Sequence, residues 1–316
     1  MSKQLNWAFF VQLGNNMWSD PAEKDGIHAF PGQPENVMAA DYMRFDENLW
    51  REMSAKLQHV GANMVVLDLG EGLQYESHPE LAVRGSWSKE KLSAELSRLR
   101  GMGLEVIPKL NFSTCHDQWM GEYSRMVSTK AYYAFCRDII AEVCELFDHP
   151  RFFHIGMDEE GIDCQWKYNY VVIRQGELWW HDFNFLADCV RAGGSRPWIW
   201  CPWVWADHLR QQENFLQKMP QDVLISGWYY GDFKTPQDNA RLEMYSLLDK
   251  AGFDQIPTGS TWTNDENFPG TVKYCNEIIA PERLLGYLQA PWFPVLEQYR
   301  EKQLAAIDIM AEAIAL

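Results

Sequence analysis

The amino-acid sequence predicts an α/β protein of the (β/α)8 TIM-barrel class, formed as a single domain over residues 1–316. Short apolar segments alternate with amphipathic segments along the chain, and eight such units can be distinguished. The length accommodates this barrel, which takes about 250 residues and often carries insertions. An open doubly wound sheet is the alternative, but no Gly-x-Gly-x-x-Gly segment follows the first predicted strand.

The predicted strands are rich in β-branched and aromatic residues, as buried parallel strands are. They lie at 5–13, 62–69, 105–112, 152–158, 197–204, 222–229, 256–262 and 284–291. Between them, Leu92, Leu96 and Leu99 recur at helical spacing and predict a helix over 88–102 with Ser88 as its N-cap. A second apolar stripe predicts a helix over 128–147 behind Ser128, and a last helix over 296–315 completes the barrel.

Composition limits the function classes. The net charge of −16 argues against binding to nucleic acid or to an anionic membrane surface, because both require a basic face. No segment reaches the roughly 18 apolar residues of a membrane span. The seven cysteines are odd in number and contain no Cys-x-x-Cys pair, which disfavours a disulfide framework or a zinc cluster. Reduced thiols favour a cytoplasmic location.

Three consecutive carboxylates follow the fourth predicted strand, in the segment His-Ile-Gly-Met-Asp-Glu-Glu that ends at Glu160. The active sites of (β/α)8 enzymes lie at the carboxyl ends of the strands. Cleavage of a glycosidic bond needs a proton donor and a negative charge beside an oxocarbenium-like centre. Asp158 and Glu159 are therefore the candidate catalytic residues, although a solvated loop that caps the next helix is the simpler interpretation.

Aromatic residues follow four successive strands. They are Trp203 and Trp205, then Trp228, Tyr229 and Tyr230, then Trp262, and finally Trp292. A single Trp is more often part of a core, but the C–H faces of a pyranose ring stack on indole rings. The repetition therefore predicts an aromatic-walled pocket that binds a carbohydrate.

Polar candidates for substrate binding are Asn111 and His116 after strand three, His154 within strand four and Asp265 after strand seven. A lone histidine in a strand is more often a satisfied core residue. No His-x-His or His-Glu-x-x-His spacing occurs, so the sequence predicts neither a metal site nor a cofactor.

Residues 62–160 resemble the family 20 glycoside hydrolases, the β-N-acetylhexosaminidases. The segment NMVVLDLGEGLQYESHPELAVRG is similar to the family's second strand and its "YPEL…G" loop, and GLEVIPKLNF is similar to "GIEVIPEID". HIGMDEE resembles the "HIGGDE" motif, and His116 lies near the "PGH" histidine. SRPWIW and GYLQAPW are weaker matches to strand-five and strand-eight motifs.

The resemblance implies a retaining, substrate-assisted mechanism in which the 2-acetamido group of the substrate is the nucleophile. It places the general acid/base on Glu159 and the residue that orients the acetamido group on Asp158. The chain departs from the family at strand one, where Gln12 to Asn16 contain no arginine, and at Lys109, where the family has a glutamate.

Two other functions are compatible with the same residues. In the first, Glu159 is the acid of a retaining glycosidase whose carboxylate nucleophile is Asp232, Asp265 or Glu71. In the second, the barrel binds sugars without hydrolysing them, which the missing strand-one arginine would explain.

Overall fold

The structure is a computed structural model that describes residues 4–21, 23–24, 27–28, 35–202, 212–234 and 241–316. Eight parallel strands form its central sheet. They are β1 (Asn6–Gln12), β2 (Met64–Asp68), β3 (Glu105–Lys109), β4 (Phe152–His154), β5 (Arg196–Trp200), β6 (Leu224–Ser226), β7 (Thr258–Gly259) and β8 (Gly286–Gln289). Two further two-residue strands, Glu23–Lys24 and Ile27–His28, pair antiparallel after β1.

The sheet closes into a barrel. Strands β1 to β6 pair in chain order, β1 also pairs with β8, and β8 pairs with β7. Bridges from Ile225 to Gln255 and from Trp228 to Thr258 then join the β6 segment to the β7 segment. The (β/α)8 prediction is confirmed, and the open doubly wound sheet is excluded.

Each strand is followed by a helix among the described residues. The helices are α1 (Glu47–Val60), α2 (Lys89–Gly101), α3 (Lys130–Leu146), α4 (Glu177–Ala192), α5 (Gln212–Lys218), α6 (Glu243–Lys250), α7 (Asn267–Ile278) and α8 (Arg300–Ile314). None of these helices is long and apolar enough to cross a membrane. The N-cap Ser88 is confirmed, because its side chain accepts from the Lys91 N–H. Ser128 is not the cap of α3: Thr129 takes that place and accepts from the Tyr132 N–H.

Alternate residues of each strand face opposite sides of the sheet, which gives the protein two apolar layers. Phe9 and Val11 of β1 pack in the large cluster between the sheet and the helices. Phe10, between them, packs in the barrel interior with Trp198 and Trp200 of β5. Because large side chains fill the barrel, its interior is a core and not a channel. A ligand can therefore bind at the ends of the barrel but not at its centre.

Candidate active site

A cleft of about 350 Å³ lies at the carboxyl ends of the strands. Its walls come from segments that follow six of the eight strands and from the last residue of β5. The described residues that line it are Trp18, Val37, Cys115, His116, Asp158, Glu159, Asp163, Cys164, Trp166, Lys167, Trp200, Trp228, Tyr230, Trp262 and Trp292. The predicted carboxylate pair thus lies in this cleft, at the end where (β/α)8 enzymes carry their active sites.

Asp158 and Glu159 lie on a strained turn that follows β4. Gly156 and Glu159 have φ angles of 73° and 55°, and for a side-chain-bearing residue such a backbone costs on the order of 1–3 kcal/mol. Neighbours hold the turn: the Ser113 hydroxyl donates to the Asp158 carbonyl, and the Cys115 thiol donates to the Glu159 carbonyl. The Asp158 side chain is buried in this arrangement, whereas 29% of the Glu159 side chain is exposed.

The third carboxylate, Glu160, points into the core instead. It is buried and pairs with Arg174, whose Nε donates to its Oε2 at 3.1 Å. Arg174 also contacts Asp182 at 3.4 Å and donates to the Phe112 carbonyl at 2.8 Å. Removing one partner of a buried ion pair destabilises a protein by much more than the complete pair stabilises it. Glu160 therefore anchors the segment between β4 and α4 that forms one wall of the cleft.

A glycine at position 156 lets Asn111 reach Asp158. Asn111 Nδ2 donates to Asp158 Oδ1 at 3.1 Å, and Asn111 Oδ1 accepts from the Ser113 N–H at 3.0 Å. A Cβ atom built on Gly156 would lie only 1.8 Å from Asn111 Oδ1, at a φ angle that side chains rarely adopt. Any side chain at this position must therefore displace Asn111.

We expect Gly156→Ala to lower activity as well as stability, because the new methyl group pushes Asn111 away from Asp158. Gly103→Ala is the matched control, since Gly103 has a φ angle of 81° and open space around its Cβ position. The control should cost only backbone strain, about 1–2 kcal/mol, with kcat/KM unchanged. The measurements are urea denaturation and kcat/KM for both variants. Equal losses of kcat/KM in the two variants would contradict the role assigned to Gly156.

His116 lies between the two carboxylates. Its Nε2 is 3.1 Å from Glu159 Oε2 and 3.4 Å from Asp158 Oδ2. Burial lowers the pKa of His116, but the charges of Asp158 and Glu159 and the hydrogen bonds to them outweigh burial and raise it to about 10. The ring is therefore an imidazolium at neutral pH, and it fixes the two carboxylates relative to each other.

A second buried cation lies nearby. Lys109 Nζ pairs with Asp68 Oδ2 at 2.5 Å, at the ends of β3 and β2. Burial raises the pKa of Asp158, but the charges of His116 and Lys109, with hydrogen bonds from His116 and Asn111, outweigh it and leave that pKa below its ordinary value. Asp158 is therefore a stable carboxylate in this environment.

We expect the contribution of His116 to stability to fall as the pH rises. The folded protein keeps the proton up to a pKa of about 10, whereas the unfolded chain releases it near the ordinary value of 6.5. The contribution is complete below pH 6.5, decreases by at most about 1.4 kcal/mol per pH unit above it, and is lost beyond pH 10. The check is the free energy of unfolding of the parent minus that of His116→Asn at pH 6, 8 and 10. A difference independent of pH would contradict the raised pKa.

Aromatic side chains form the remaining walls of the cleft. Trp292 Nε1 donates to the Tyr230 hydroxyl at 2.9 Å, and the Trp292 ring lies 5.8 Å from that of Trp200. The Trp228 ring lies 5.3 Å from that of Tyr230, and Trp262 stands at the rim with 47% of its surface exposed. The cleft therefore combines apolar rings with a charged floor.

The structure places other predicted residues outside the cleft lining. His154 is fully buried, with its ring 5.1 Å from Trp198 and 4.4 Å from Trp200, and its Nδ1 accepts from the Gly156 N–H. Burial lowers the pKa of His154 well below its ordinary value, so its ring is neutral and part of the barrel core. A substrate could reach it only if the barrel core opened.

Tyr229 packs against Phe233 and donates to the Asp232 carbonyl at 3.0 Å, so Tyr230 lines the cleft in its place. Asp265 is exposed and is not among the lining residues. Trp203 and Trp205 lie outside the described residues, and their role stays a prediction. Trp18 and Trp200 line the cleft although the sequence did not single them out, and Tyr230 was predicted only as one of the three aromatic residues after β6.

The three alternative nucleophiles lie outside the described lining of the cleft. The Glu71 carboxylate is buried and accepts from the N–H groups of Asn15 and Asn16 at 2.7 and 3.1 Å. Asp232 accepts from the Lys234 N–H at 3.2 Å. None of Glu71, Asp232 and Asp265 is among the described residues that line the cleft. A conventional nucleophile from this set would have to move before it could reach a bound sugar.

His116, Asp158 and Glu159 could also hold a cation. One ligand atom from each lies within 4.8 Å of the others. An imidazolium that donates to two carboxylates gives the same short distances. A metal ion binds the neutral imidazole, so the raised pKa of His116 favours a proton on the ring over a bound metal ion.

The comparisons with known proteins identify the fold. No family model matches the sequence, and no curated protein matches it. Several solved structures are similar: an exo-β-N-acetylglucosaminidase of glycoside hydrolase family 20 from Vibrio harveyi, solved with N-acetylglucosamine, has a TM-score of 0.64 and 15% identity over 99% of this chain. A β-N-acetylhexosaminidase from Bacteroides fragilis has a TM-score of 0.59 and 15% identity over 96% of this chain.

The pneumococcal virulence factor StrH, whose structure was solved in a study of N-glycan hydrolysis, has a TM-score of 0.62 and 15% identity over 98% of this chain and 83% of its own. The present chain spans 54% of the Vibrio protein and 65% of the Bacteroides protein. At these identities the similarity shows a shared barrel fold. The predicted resemblance to family 20 is thus confirmed at the level of the fold, by structures of that family.

Proposed function

We propose that the protein is a glycoside hydrolase that removes a terminal N-acetylhexosamine with retention of configuration. The observation that carries the proposal is the adjacent pair Asp158 and Glu159, held by His116 in an aromatic-walled cleft at the end of β4. Aromatic rings suit the C–H faces of a pyranose, and the charged groups suit its polar substituents. The fold shared with an enzyme that was solved with N-acetylglucosamine supports the same substrate class.

Glu159 is the general acid and then the general base. Its carboxyl group protonates the glycosidic oxygen as the bond from that oxygen to C1 breaks, and the substrate's acetamido carbonyl oxygen bonds to C1 to form an oxazolinium ion. A water molecule then gives its proton to Glu159 and attacks C1, which reopens the ring. The partial exposure of Glu159 in the cleft gives both the leaving group and the water access to it.

Asp158 acts on the nucleophile. Its carboxylate accepts a hydrogen bond from the acetamido N–H and stabilises the positive charge that spreads over the oxazolinium ring. The lowered pKa of Asp158 keeps it ionised for this purpose. A fixed charge of this kind is worth most in a site that excludes water, because no solvent reorganisation is then needed as the charge develops.

The test is a screen of matched aryl glycosides with and without the 2-acetamido group. Hydrolysis confined to the 2-acetamido series, and inhibition by a thiazoline analogue of the oxazolinium ion, would support the proposal. Hydrolysis of 2-hydroxyl substrates, with trapping of a carboxylate by a 2-fluoro glycoside, would favour the conventional nucleophile. Sugar binding to both the parent and Glu159→Gln without turnover by the parent would favour a binding protein.

Prolonged chelation with EDTA should leave activity unchanged, because the proposed steps need only carboxylates and the substrate's own amide. The relevant comparison is kcat/KM before dialysis, after dialysis and after addition of Zn²⁺, Mg²⁺ or Ca²⁺. A loss on chelation that one of these ions alone restores would assign a metal to His116, Asp158 and Glu159 instead.

A further inference from the structure

Two cysteines line the cleft beside Glu159, and the proposed hydrolysis uses neither. All seven cysteines are free thiols, and of these Cys115 and Cys164 belong to the cleft lining. Cys115 comes from the segment after β3, immediately before His116. Cys164 ends a short 3-10 helix, Ile162–Cys164, that begins three residues after Glu159. The two loops that carry the candidate acid and its histidine partner therefore each bring one thiol to the same wall.

The two residues meet at one carbonyl group. Cys115 Sγ lies 3.8 Å from the Gly161 oxygen, and the Cys164 N–H donates to that oxygen with an N–O distance of 3.1 Å. Each thiol is also the neighbouring group with the largest effect on the pKa of the other. Because the two residues share this carbonyl contact, a short approach of their loops would bring the two sulfur atoms to bonding distance.

The two thiols differ in reactivity. Cys164 is partly exposed, and the neighbouring Cys115 thiol lowers the pKa of the Cys164 thiol. Cys115 is buried, and burial raises the pKa of its thiol. Since the thiolate is the nucleophile in thiol–disulfide exchange, Cys164 should react first with a reagent that enters the cleft.

We propose that Cys115 and Cys164 form an oxidisable thiol pair that closes to a disulfide in the presence of a small-molecule disulfide and thereby lowers the activity of the cleft. In the first step, Cys164 attacks the reagent, one sulfur of which leaves as a thiol. Cys115 then attacks the Cys164 sulfur of the mixed disulfide and releases the second thiol. Two cysteine thiols and one reagent disulfide thus give one protein disulfide and two reagent thiols.

The disulfide affects the proposed hydrolysis through the position of Glu159. The Cys115 thiol donates to the Glu159 carbonyl, and this contact helps to hold a residue whose φ angle is 55°. A disulfide sulfur has no hydrogen to donate, so the hydrogen bond to the Glu159 carbonyl is lost. Cys115 also precedes His116, whose Nε2 contacts Glu159 at 3.1 Å. The cross-link should therefore displace the Glu159 carboxyl group from its working position.

The experiment treats the full chain with glutathione disulfide and maps its peptides by mass spectrometry without reduction. We expect a Cys115–Cys164 cross-link, a fall in kcat/KM of at least 5-fold, and recovery on addition of dithiothreitol. Cys115→Ser should stop at a mixed disulfide on Cys164, and Cys164→Ser should form neither product. Cys189→Ser removes a partly exposed thiol in α4 and is the matched control, in which the cross-link still forms. Activities are compared with the value of each variant before oxidation.

A cross-link between other cysteines, or none, would overturn the thiol pair. A Cys115–Cys164 cross-link that leaves kcat/KM unchanged would overturn its effect on the cleft. The effect on activity rests on the proposed hydrolysis, but the peptide map does not. A protein that is inactive before oxidation and still forms the cross-link would therefore refute the proposed function and leave the thiol pair in place.

Discussion

Replacement of Glu159 by Gln is expected to lower kcat/KM on an N-acetylhexosaminyl disaccharide by about 10²–10⁴-fold, the usual contribution of a general acid. A sugar is a poor leaving group and needs a proton as the glycosidic bond breaks. A nitrophenolate departs with little protonation, so the same variant should lose much less on the corresponding aryl glycoside. The measured quantity is the ratio of kcat/KM on the two substrates in the variant and in the parent.

The variant should stay folded, because Gln is nearly isosteric with Glu, can still accept from His116, and stands at a partly exposed position. Asp232→Asn is the control. It removes an acidic side chain that follows β6 but is not among the described lining residues, and it should keep the activity of the parent. If Glu159→Gln lowered both rates by the same factor while chemistry was rate-limiting, Glu159 would not be the leaving-group acid. If Asp232→Asn abolished activity, the conventional nucleophile would replace the substrate-assisted mechanism.

The barrel was predictable because the alternation of strand and helix patterns occurs eight times, so that an error in one element does not change the fold class. The ends of individual elements were less predictable. The fourth strand was predicted over 152–158 but ends at His154, because Gly156 and Met157 adopt left-handed φ angles of 73° and 75°. Asp158 and Glu159 could be placed correctly in spite of this, since the carboxyl end of the strand fixes their position within a few residues.

Contacts between distant segments could not be predicted. His116 was expected to bind the substrate, but its link to Glu159 joins residues 43 positions apart. The pairing of Lys109 with Asp68 spans 41 positions. The only sequence signal for it is a charge at the end of each of two apolar strands. Such pairs follow from strand order and register, which a periodic pattern does not specify.

The choice between Tyr229 and Tyr230 shows a related limit. Neighbouring residues beyond a strand end point to opposite sides, so a shift of one position exchanges the cleft for the core. Tyr229 packs on Phe233, whereas Tyr230 bonds to Trp292 in the cleft. An aromatic triplet after β6 predicts a wall but not which of its rings forms it.

Replacement of Asp158 by Asn is expected to slow hydrolysis of the disaccharide and of the aryl glycoside by similar factors, about 10²–10³-fold. The reason is that Asp158 serves the acetamido nucleophile, whose attack on C1 accompanies departure of either leaving group. The amide of Asn can still contact Asn111, but it carries no charge to stabilise the oxazolinium ion. The same variant should therefore also bind a thiazoline analogue of that ion more weakly than the parent does.

The contrast between the two variants is the decisive result. Glu159→Gln should discriminate between leaving groups, and Asp158→Asn should not, although the residues are adjacent and both contact His116. Loss of the Asp158 charge also removes the largest influence that raises the pKa of His116, so the decline of stability above pH 6.5 should end at a lower pH and be smaller in total in Asp158→Asn. If this variant hydrolysed N-acetylated substrates at the parent rate, the acetamido group would not be the nucleophile, and a protein carboxylate would have to supply it.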